Sequence, residues 1–182
     1  SAVGKRIGFV GAGAVGGYVA AYLAMAGEDV LVIDQWPAHI NRIKRDGIAV
    51  SGTQGEHLVR LKALHIHEVQ TLLTTRLDVA FICTKSYDTE WATALIHQYL
   101  APGAFVVSLQ NGINEDRIAS IVGWGKTVGC IASTIGVDAF APGKIMRTMD
   151  PGGSSYDVFR VGEPHGRLTA RIQDVARMLR AV

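Results

Sequence analysis

Three glycines near the N-terminus have the spacing that binds a phosphate group. Gly11, Gly13 and Gly16 form the pattern GxGxxG, directly after the apolar run 6–10 and before the helix-like segment 14–26. The first glycine of such a pattern permits a tight turn, the second lets the backbone approach a pyrophosphate, and the third lets the helix pack closely on the strand. N–H groups at the helix start would bind the anion. The residues predicted to contact a dinucleotide here are Gly11, Ala12, Gly13, Ala14, Val15 and Gly16.

An acidic residue follows this motif at the distance that ribose recognition requires. Asp34 lies 23 residues after Gly11, at the end of a second apolar run, 29–33. A carboxylate there accepts hydrogen bonds from the adenosine ribose of NAD and repels the 2′-phosphate of NADP. The sequence therefore favours NAD over NADP. The alternative is a glycine-rich turn followed by a solvated aspartate.

Two further apolar runs end in polar residues. Thr84 and Lys85 follow the third long run, and Gln110 and Asn111 follow the fourth. Ligands of open α/β sheets bind outside the carboxyl ends of the strands, so we expect all four residues at the dinucleotide crevice. Lys85 can hold ribose hydroxyls or a carboxylate, and Asn111 can orient a carbonyl group. We predict these two as the catalytic residues. The alternatives are an exposed lysine beside a helix and an Asn-Gly turn.

Composition narrows the class of protein. The chain has 182 residues, of which 48% are hydrophobic and 19% charged, as expected for one globular domain rather than a disordered chain. The net charge of +2 gives no indication of nucleic-acid binding. The two cysteines, Cys83 and Cys130, are far apart in sequence and favour neither a disulfide framework nor a zinc site. A reducing cytoplasm is the expected location.

One segment has the outline of a secretory signal. Residues 7–27 carry no charge and follow Lys5 and Arg6. The glycines of this segment would interrupt an apolar helix, however, so we predict neither a signal peptide nor a membrane span.

The pattern of elements predicts the fold. Apolar runs alternate with helix-like segments over the first two thirds of the chain, which indicates βαβ units and a parallel sheet. The predicted strands are 6–10, 29–33, 77–83 and 104–109, the predicted helices are 14–26, 37–45, 87–100 and 114–122, and a hairpin-like excursion covers 48–51 and 57–66. After Gly125, strands at 127–135, 144–149 and 156–161 are predicted to extend the sheet with antiparallel members, before an amphipathic helix at 167–181. The predicted fold class is α/β, a Rossmann-type, doubly wound, mostly parallel sheet with an antiparallel extension in the C-terminal third.

Three motifs together resemble the ketopantoate reductases (2-dehydropantoate 2-reductases). They are GAGAVGG at 11–17, FICTKSYD at 81–88 and QNGI at 110–113, and the resemblance extends over essentially the whole chain. It implies hydride transfer from NAD(P)H to a 2-keto acid such as 2-dehydropantoate, giving pantoate, a step toward pantothenate and coenzyme A. It also implies that Lys85 and Asn111 line the cofactor and substrate site.

The chain departs from this family in two respects. The family more often uses NADP, with a basic residue where this chain has Asp34. The family also has a second, helical domain that carries the catalytic lysine, and the resemblance places that domain beyond Val182. Residues 1–182 are therefore expected to be the NAD(P)-binding Rossmann domain and a poor catalyst alone. The C-terminal helix and the surface beside the crevice would then be exposed, which would permit a homo-oligomer. The rival interpretations are the nucleotide domain of another hydroxyacid dehydrogenase and a non-catalytic NAD-sensing module.

Overall fold

The computed structural model of the chain describes residues 4–52, 55–85, 88–110, 114–132, 137–147, 159–164, 166–180 and 182. Its strands are β1 (Arg6–Val10), β2 (Asp29–Asp34), β3 (Ile48–Gly52), β4 (His57–Val59), β5 (Lys62–His65), β6 (Leu77–Ile82), β7 (Leu100–Leu109), β8 (Thr127–Ala132), β9 (Val137–Ala141), β10 (Lys144–Arg147) and β11 (Phe159–Gly162). Its α-helices are α1 (Ala14–Met25), α2 (Pro37–Asp46), α3 (Thr89–His97), α4 (Glu115–Val122) and α5 (Ala170–Leu179). Short 3-10 helices cover Ile66–Leu73 and Trp124–Lys126.

The main sheet has the order β11-β8-β7-β6-β1-β2-β5. All of its neighbouring strands are parallel except β11, which runs antiparallel to β8. Without β11, the order is that of a dinucleotide-binding sheet, 3-2-1-4-5-6. The strand order reverses between β1 and β6, and a crevice forms at the carboxyl ends of these two strands. The predicted Rossmann-type fold with an antiparallel extension is confirmed.

Two details of the predicted extension are wrong. Strand β8 pairs in parallel with β7, because α4 carries the chain back over the sheet between them. Strand β10 does not join the main sheet. It belongs to a second sheet with the order β4-β3-β10-β9, where it pairs in parallel with β3 and antiparallel with β9. Among the described strands of the main sheet, only β11 is antiparallel to its neighbour. The predicted strand ends at 133–135, 148–149 and 156–158 lie outside the described residues.

The strands of the predicted hairpin-like segment, 48–51 and 57–66, belong to two different sheets. Strands β3 and β4 form an antiparallel pair, as expected, but β5 leaves it and pairs in parallel with β2 at the edge of the main sheet. One face of the second sheet packs on α1, where Val50 and Ile145 are buried.

Helix α1 lies between the two sheets. Residues Gly16 to Ala21 and Leu23 are buried, because one side of the helix packs on β1 and β2 and the other on β3, β9 and β10. A helix enclosed on both sides is expected to be apolar all round, and this explains the uncharged segment 7–27. Among the described residues, no helix is long and apolar enough to cross a membrane.

The opposite face of the main sheet is covered by α3 and α4. Helix α5 packs on the α1 side of the sheet, where its apolar residues Ile172, Val175, Met178 and Leu179 are buried. The expectation that the C-terminal helix would lie exposed is therefore wrong for its apolar face. The side chain of Thr169 caps its first turn by accepting a hydrogen bond from the Ile172 N–H.

Candidate functional site

The glycine turn connects β1 to α1 at the point where the strand order reverses. Gly11 has a φ of +102° and donates its N–H to the Ile33 carbonyl at 2.8 Å. A Cβ on Gly11 would lie 2.8 Å from the Cys83 carbonyl carbon, and one on Gly16 would lie 2.7 Å from the Cys83 Cβ. The absence of side chains at both positions therefore lets the turn and the start of α1 pack directly on the end of β6.

Gly13 has a different environment. A Cβ on Gly13 would meet none of the described atoms within 4 Å, and Gly13 lines a cavity. Gly13 is also the N-cap of α1, where no side chain within the described part of the chain caps the helix and no acid occupies the first turn. The first N–H groups of α1 are consequently available to an anion, with the helix dipole favouring negative charge.

The Asp34 carboxylate is held by the backbone of two segments. Its Oδ2 accepts a hydrogen bond from the Ala12 N–H at 2.7 Å, and its Oδ1 accepts one from the Trp36 N–H at 2.8 Å. Each oxygen retains a lone pair for a further donor, since a carboxylate accepts about four hydrogen bonds. Asp34 is half-buried and lines the same cavity as Gly13. The carboxylate can thus accept hydrogen bonds from further donors in the cavity.

This cavity, of about 300 Å³, lies along the carboxyl ends of β1, β2 and β6. The described residues that line it are Val10, Gly11, Gly13, Ile33, Asp34, Gln35, Ile66, Cys83, Thr84, Lys85, Asp88 and Trp91. Five predicted site residues are therefore brought together: Gly11, Gly13, Asp34, Thr84 and Lys85. Ala12, Ala14, Val15 and Gly16 belong to the turn and first helical residues beside it.

Two of these residues offer polar atoms to a ligand. The Thr84 Oγ1 is buried and makes no hydrogen bond within the described structure. The Lys85 side chain is exposed at the cavity, and its ammonium has no acidic partner among the residues described. A buried hydroxyl without a partner is costly unless a ligand supplies one. The orphaned hydroxyl, the open space at Gly13 and the free helix start together fit a dinucleotide.

Gln110 does not line the cavity but holds Thr84, which does. Its Nε2 donates to the Thr84 carbonyl and to the Thr89 Oγ1, both at 2.7 Å, and its Oε1 accepts from the Ser108 hydroxyl at 3.2 Å. Both N–H donors of the amide are used, so Gln110 positions the Thr84 segment. Direct contact of Gln110 with a cofactor stays a prediction, and Asn111 lies outside the described residues.

The basic residues that follow Asp34 in sequence are paired with acids. Arg42 lies 2.7 Å from Asp46, and Lys44 lies 2.5 Å from Glu68. The hydrogen bond from Lys44 lowers the pKa of the Glu68 carboxyl. Neither of these cations lines the cavity that contains Asp34.

The cavity also contains residues that the sequence analysis did not assign to it. Cys83 lines it, and burial raises the pKa of its thiol well above the usual range, which disfavours the thiolate that a nucleophile requires at neutral pH. Asp88, the N-cap residue of α3, makes no side-chain capping bond and lines the cavity. Trp91 of α3 also lines it and is 42% exposed. Asp88 and Trp91 follow Lys85 by three and six residues, and this spacing is the sequence signal that could have placed them at the cavity.

The chain matches the sequence model of a known protein family. The family model described as Ketopantoate reductase PanE/ApbA matches residues 7–156, which is most of the chain. The chain belongs to the ketopantoate reductase family. The matched residues include the glycine turn, Asp34 and the Thr84–Lys85 strand end. The chain shares its fold with the crystal structure of 2-dehydropantoate 2-reductase from Geobacter metallireducens GS-15. The two are 26% identical, with a TM-score of 0.81 over 97% of this chain and 55% of that one.

Two further proteins are similar to the chain. It is 37% identical over 149 residues to the 2-dehydropantoate 2-reductase of Pyrococcus abyssi, covering 79% of this chain and 44% of the relative. The structure of a D-mandelate dehydrogenase with NADH and anilino(oxo)acetate shares the fold, with a TM-score of 0.77 and 23% identity over 97% of this chain and 54% of that one. The chain spans about half the length of the curated relatives it matches.

Proposed function

We propose that the chain is the cofactor-binding part of a reductase that acts on 2-keto acids. The proposed reaction is hydride transfer from NAD(P)H to a substrate such as 2-dehydropantoate, giving pantoate. The observation that carries the proposal is the convergence of Gly13, Asp34 and Lys85 on one cavity in a member of this family. Residues 1–182 would then form the NAD(P)-binding Rossmann domain of the enzyme.

The proposed cofactor is NADH rather than NADPH. Each oxygen of Asp34 accepts one backbone hydrogen bond and retains a lone pair for a ribose hydroxyl. A 2′-phosphate at this position would bring a second negative charge to the carboxylate. The nearby cations Arg42 and Lys44 are paired with acids and do not offset that repulsion.

The residues of the chain have distinct proposed tasks. The bound nicotinamide would supply the hydride. The glycine turn and the first N–H groups of α1 hold the pyrophosphate, and Asp34 holds the adenosine ribose. The ammonium of Lys85 attracts the carboxylate of the 2-keto acid or binds ribose hydroxyls, and the Thr84 hydroxyl bonds to the ligand from the wall of the cavity. Asn111 is proposed, from the sequence alone, to orient the substrate carbonyl.

An assay of NADH oxidation tests this function. The chain and the Pyrococcus abyssi relative would each be mixed with NADH and 2-dehydropantoate, and the loss of NADH absorbance followed. We expect the chain to bind NADH and to give slow turnover that the substitution Lys85→Ala abolishes. No binding of NADH or NADPH would refute the proposal, and turnover by the chain that Lys85→Ala does not lower would refute the role of Lys85.

A second substrate separates the proposed enzyme from a close rival. The D-mandelate dehydrogenase shares the fold of the chain, so another hydroxyacid dehydrogenase is the second candidate. The 2-keto acid that corresponds to mandelate is the matching substrate. Faster turnover of that acid than of 2-dehydropantoate would favour this rival.

A further inference from the structure

A buried histidine lies behind the glycine turn, outside the cavity. His39 of α2 is fully buried, and its ring makes two hydrogen bonds to backbone groups that are distant in sequence. Its Nε2 lies 2.6 Å from the Ala12 carbonyl oxygen, and the Gly143 N–H donates to its Nδ1 at 2.8 Å. Because Nδ1 accepts, the ring hydrogen is assigned to Nε2, which donates to Ala12.

The bond to Ala12 fixes the orientation of the next peptide unit. The Ala12 carbonyl and the Gly13 N–H belong to one peptide group, and no cis peptide bond occurs among the described residues. A trans peptide directs its C=O and N–H in opposite directions. With the carbonyl held on His39, the Gly13 N–H points away from His39, and Gly13 lines the cavity. A flipped peptide would instead present a carbonyl oxygen to the anion.

The surroundings of the ring restrict its rotation. The Trp36 indole stacks on the imidazole, with ring centroids 4.9 Å apart and an angle of 15° between the planes. Gly143, which holds the other side of the ring, lies in the turn between β9 and β10 at a φ of +69°. The Ala12 N–H is held by Asp34. The peptide groups on both sides of Ala12 are therefore fixed by residues of the β2–α2 corner.

We propose that His39 is a positioning residue of the dinucleotide site, which holds the Ala12–Gly13 peptide with its carbonyl turned away from the pyrophosphate. The Gly143 N–H selects the tautomer that this requires, so the second sheet contributes to the geometry of the cofactor loop. This inference rests on the proposed function, because it assumes a pyrophosphate over Gly13. A leucine of similar size would leave both backbone groups buried without partners.

Two substitutions of His39 each remove one of the two hydrogen bonds that its ring makes. His39→Asn places an amide oxygen near the position of Nδ1, so it retains an acceptor for Gly143 and loses the donor to Ala12. His39→Gln places an amide nitrogen near the position of Nε2, so it retains the donor and loses the acceptor. Each variant loses one buried hydrogen bond, and we expect similar decreases in thermal stability without ligand.

Affinity for NADH and for ADP-ribose, measured by fluorescence titration, is the decisive readout. We expect His39→Gln to bind both within about threefold of the unsubstituted chain and His39→Asn to bind both about tenfold more weakly, as for the loss of one buried hydrogen bond. A merely structural histidine would give the two variants equal affinities, because their losses of stability are similar and only the folded fraction affects binding. That result would overturn the inference.

Nitrogen NMR of the histidine-labelled chain needs no substitution and applies even where a variant fails to fold. We expect a neutral Nε2–H tautomer for His39, and an Nδ1–H tautomer would overturn the inference. Failure of the unsubstituted chain to bind NADH or NADPH would refute the proposed function. NADH binding that His39→Asn leaves unchanged would refute only the role of His39.

Discussion

Adding one methyl group at Gly16 should destabilise the fold, whereas the same change at Gly13 should not. The new Cβ at Gly16 would lie 2.7 Å from the Cys83 Cβ and also overlap the Gly11 carbonyl oxygen. Both atoms are part of the backbone or directly attached to it, so α1 must move away from the end of β6. The Cβ added at Gly13 would meet none of the described atoms within 4 Å.

The magnitude follows from two opposing effects. Overpacking of this kind costs about 2–3 kcal/mol, at the upper end of the usual range because both contacts are rigid. The higher helix propensity of alanine returns about 1 kcal/mol. The net loss of about 1–2 kcal/mol should lower the melting temperature by about 2–8 °C in a chain of this size. Gly13→Ala should leave it nearly unchanged, because the restriction of the unfolded chain by alanine offsets the loss of a glycine that is favoured at the N-cap.

Thermal unfolding followed by circular dichroism, without ligand, measures this difference. The substitution Cys83→Ala keeps the Cβ, so the penalty of Gly16→Ala should persist in that background. Cys83→Gly removes one of the two contacts and should reduce the penalty. If Gly16→Ala melts at the temperature of the unsubstituted chain, the close packing of the turn on β6 is not the reason for glycine at this position.

Three further outcomes are expected. NADH should bind about 10- to 100-fold more tightly than NADPH, because the 2′-phosphate faces Asp34, and Asp34→Asn should narrow the ratio in competitive titrations. Burial raises the pKa of the Cys83 thiol, and that of Cys130 to about 12, so iodoacetamide at pH 8 should label neither cysteine until urea unfolds the chain. Turnover of 2-dehydropantoate by the chain should be about 100-fold below that of the Pyrococcus abyssi relative, because the general acid of the proposed reaction is expected outside residues 1–182 and such a group contributes about 100-fold or more. Comparable rates would make Lys85 the proton donor.

The parts of the site that were predictable are those set by local backbone chemistry. The spacing of Gly11, Gly13 and Gly16 and the position of Asp34 follow from how a strand, a turn and a helix surround a phosphate, and the structure places Gly11, Gly13 and Asp34 at one cavity. The parallel sheet was predictable for the same reason, because apolar runs that alternate with helices have few other arrangements.

Pairing between distant segments was not predictable. The turn residues Pro142 and Gly143 favour a strand that begins at 144, but they do not show that β10 pairs with β3 rather than with the main sheet. His39 was overlooked because its partners, Ala12 and Gly143, are 27 and 104 residues away in sequence. No local sequence pattern distinguishes a buried histidine that fixes a backbone peptide group from one that only packs in the core.

The most direct test of the dinucleotide site is a titration of the chain with NADH beside two glycine variants. Gly13→Val projects a side chain into the cavity, whereas Gly162→Val, at another glycine whose Cβ would meet no described atom, lies on β11 at the far edge of the main sheet. We expect saturable binding, seen as quenching of tryptophan fluorescence, by the unsubstituted chain and by Gly162→Val, and its loss in Gly13→Val at an unchanged melting temperature. Equal binding of NADH by Gly13→Val and the unsubstituted chain would contradict the account.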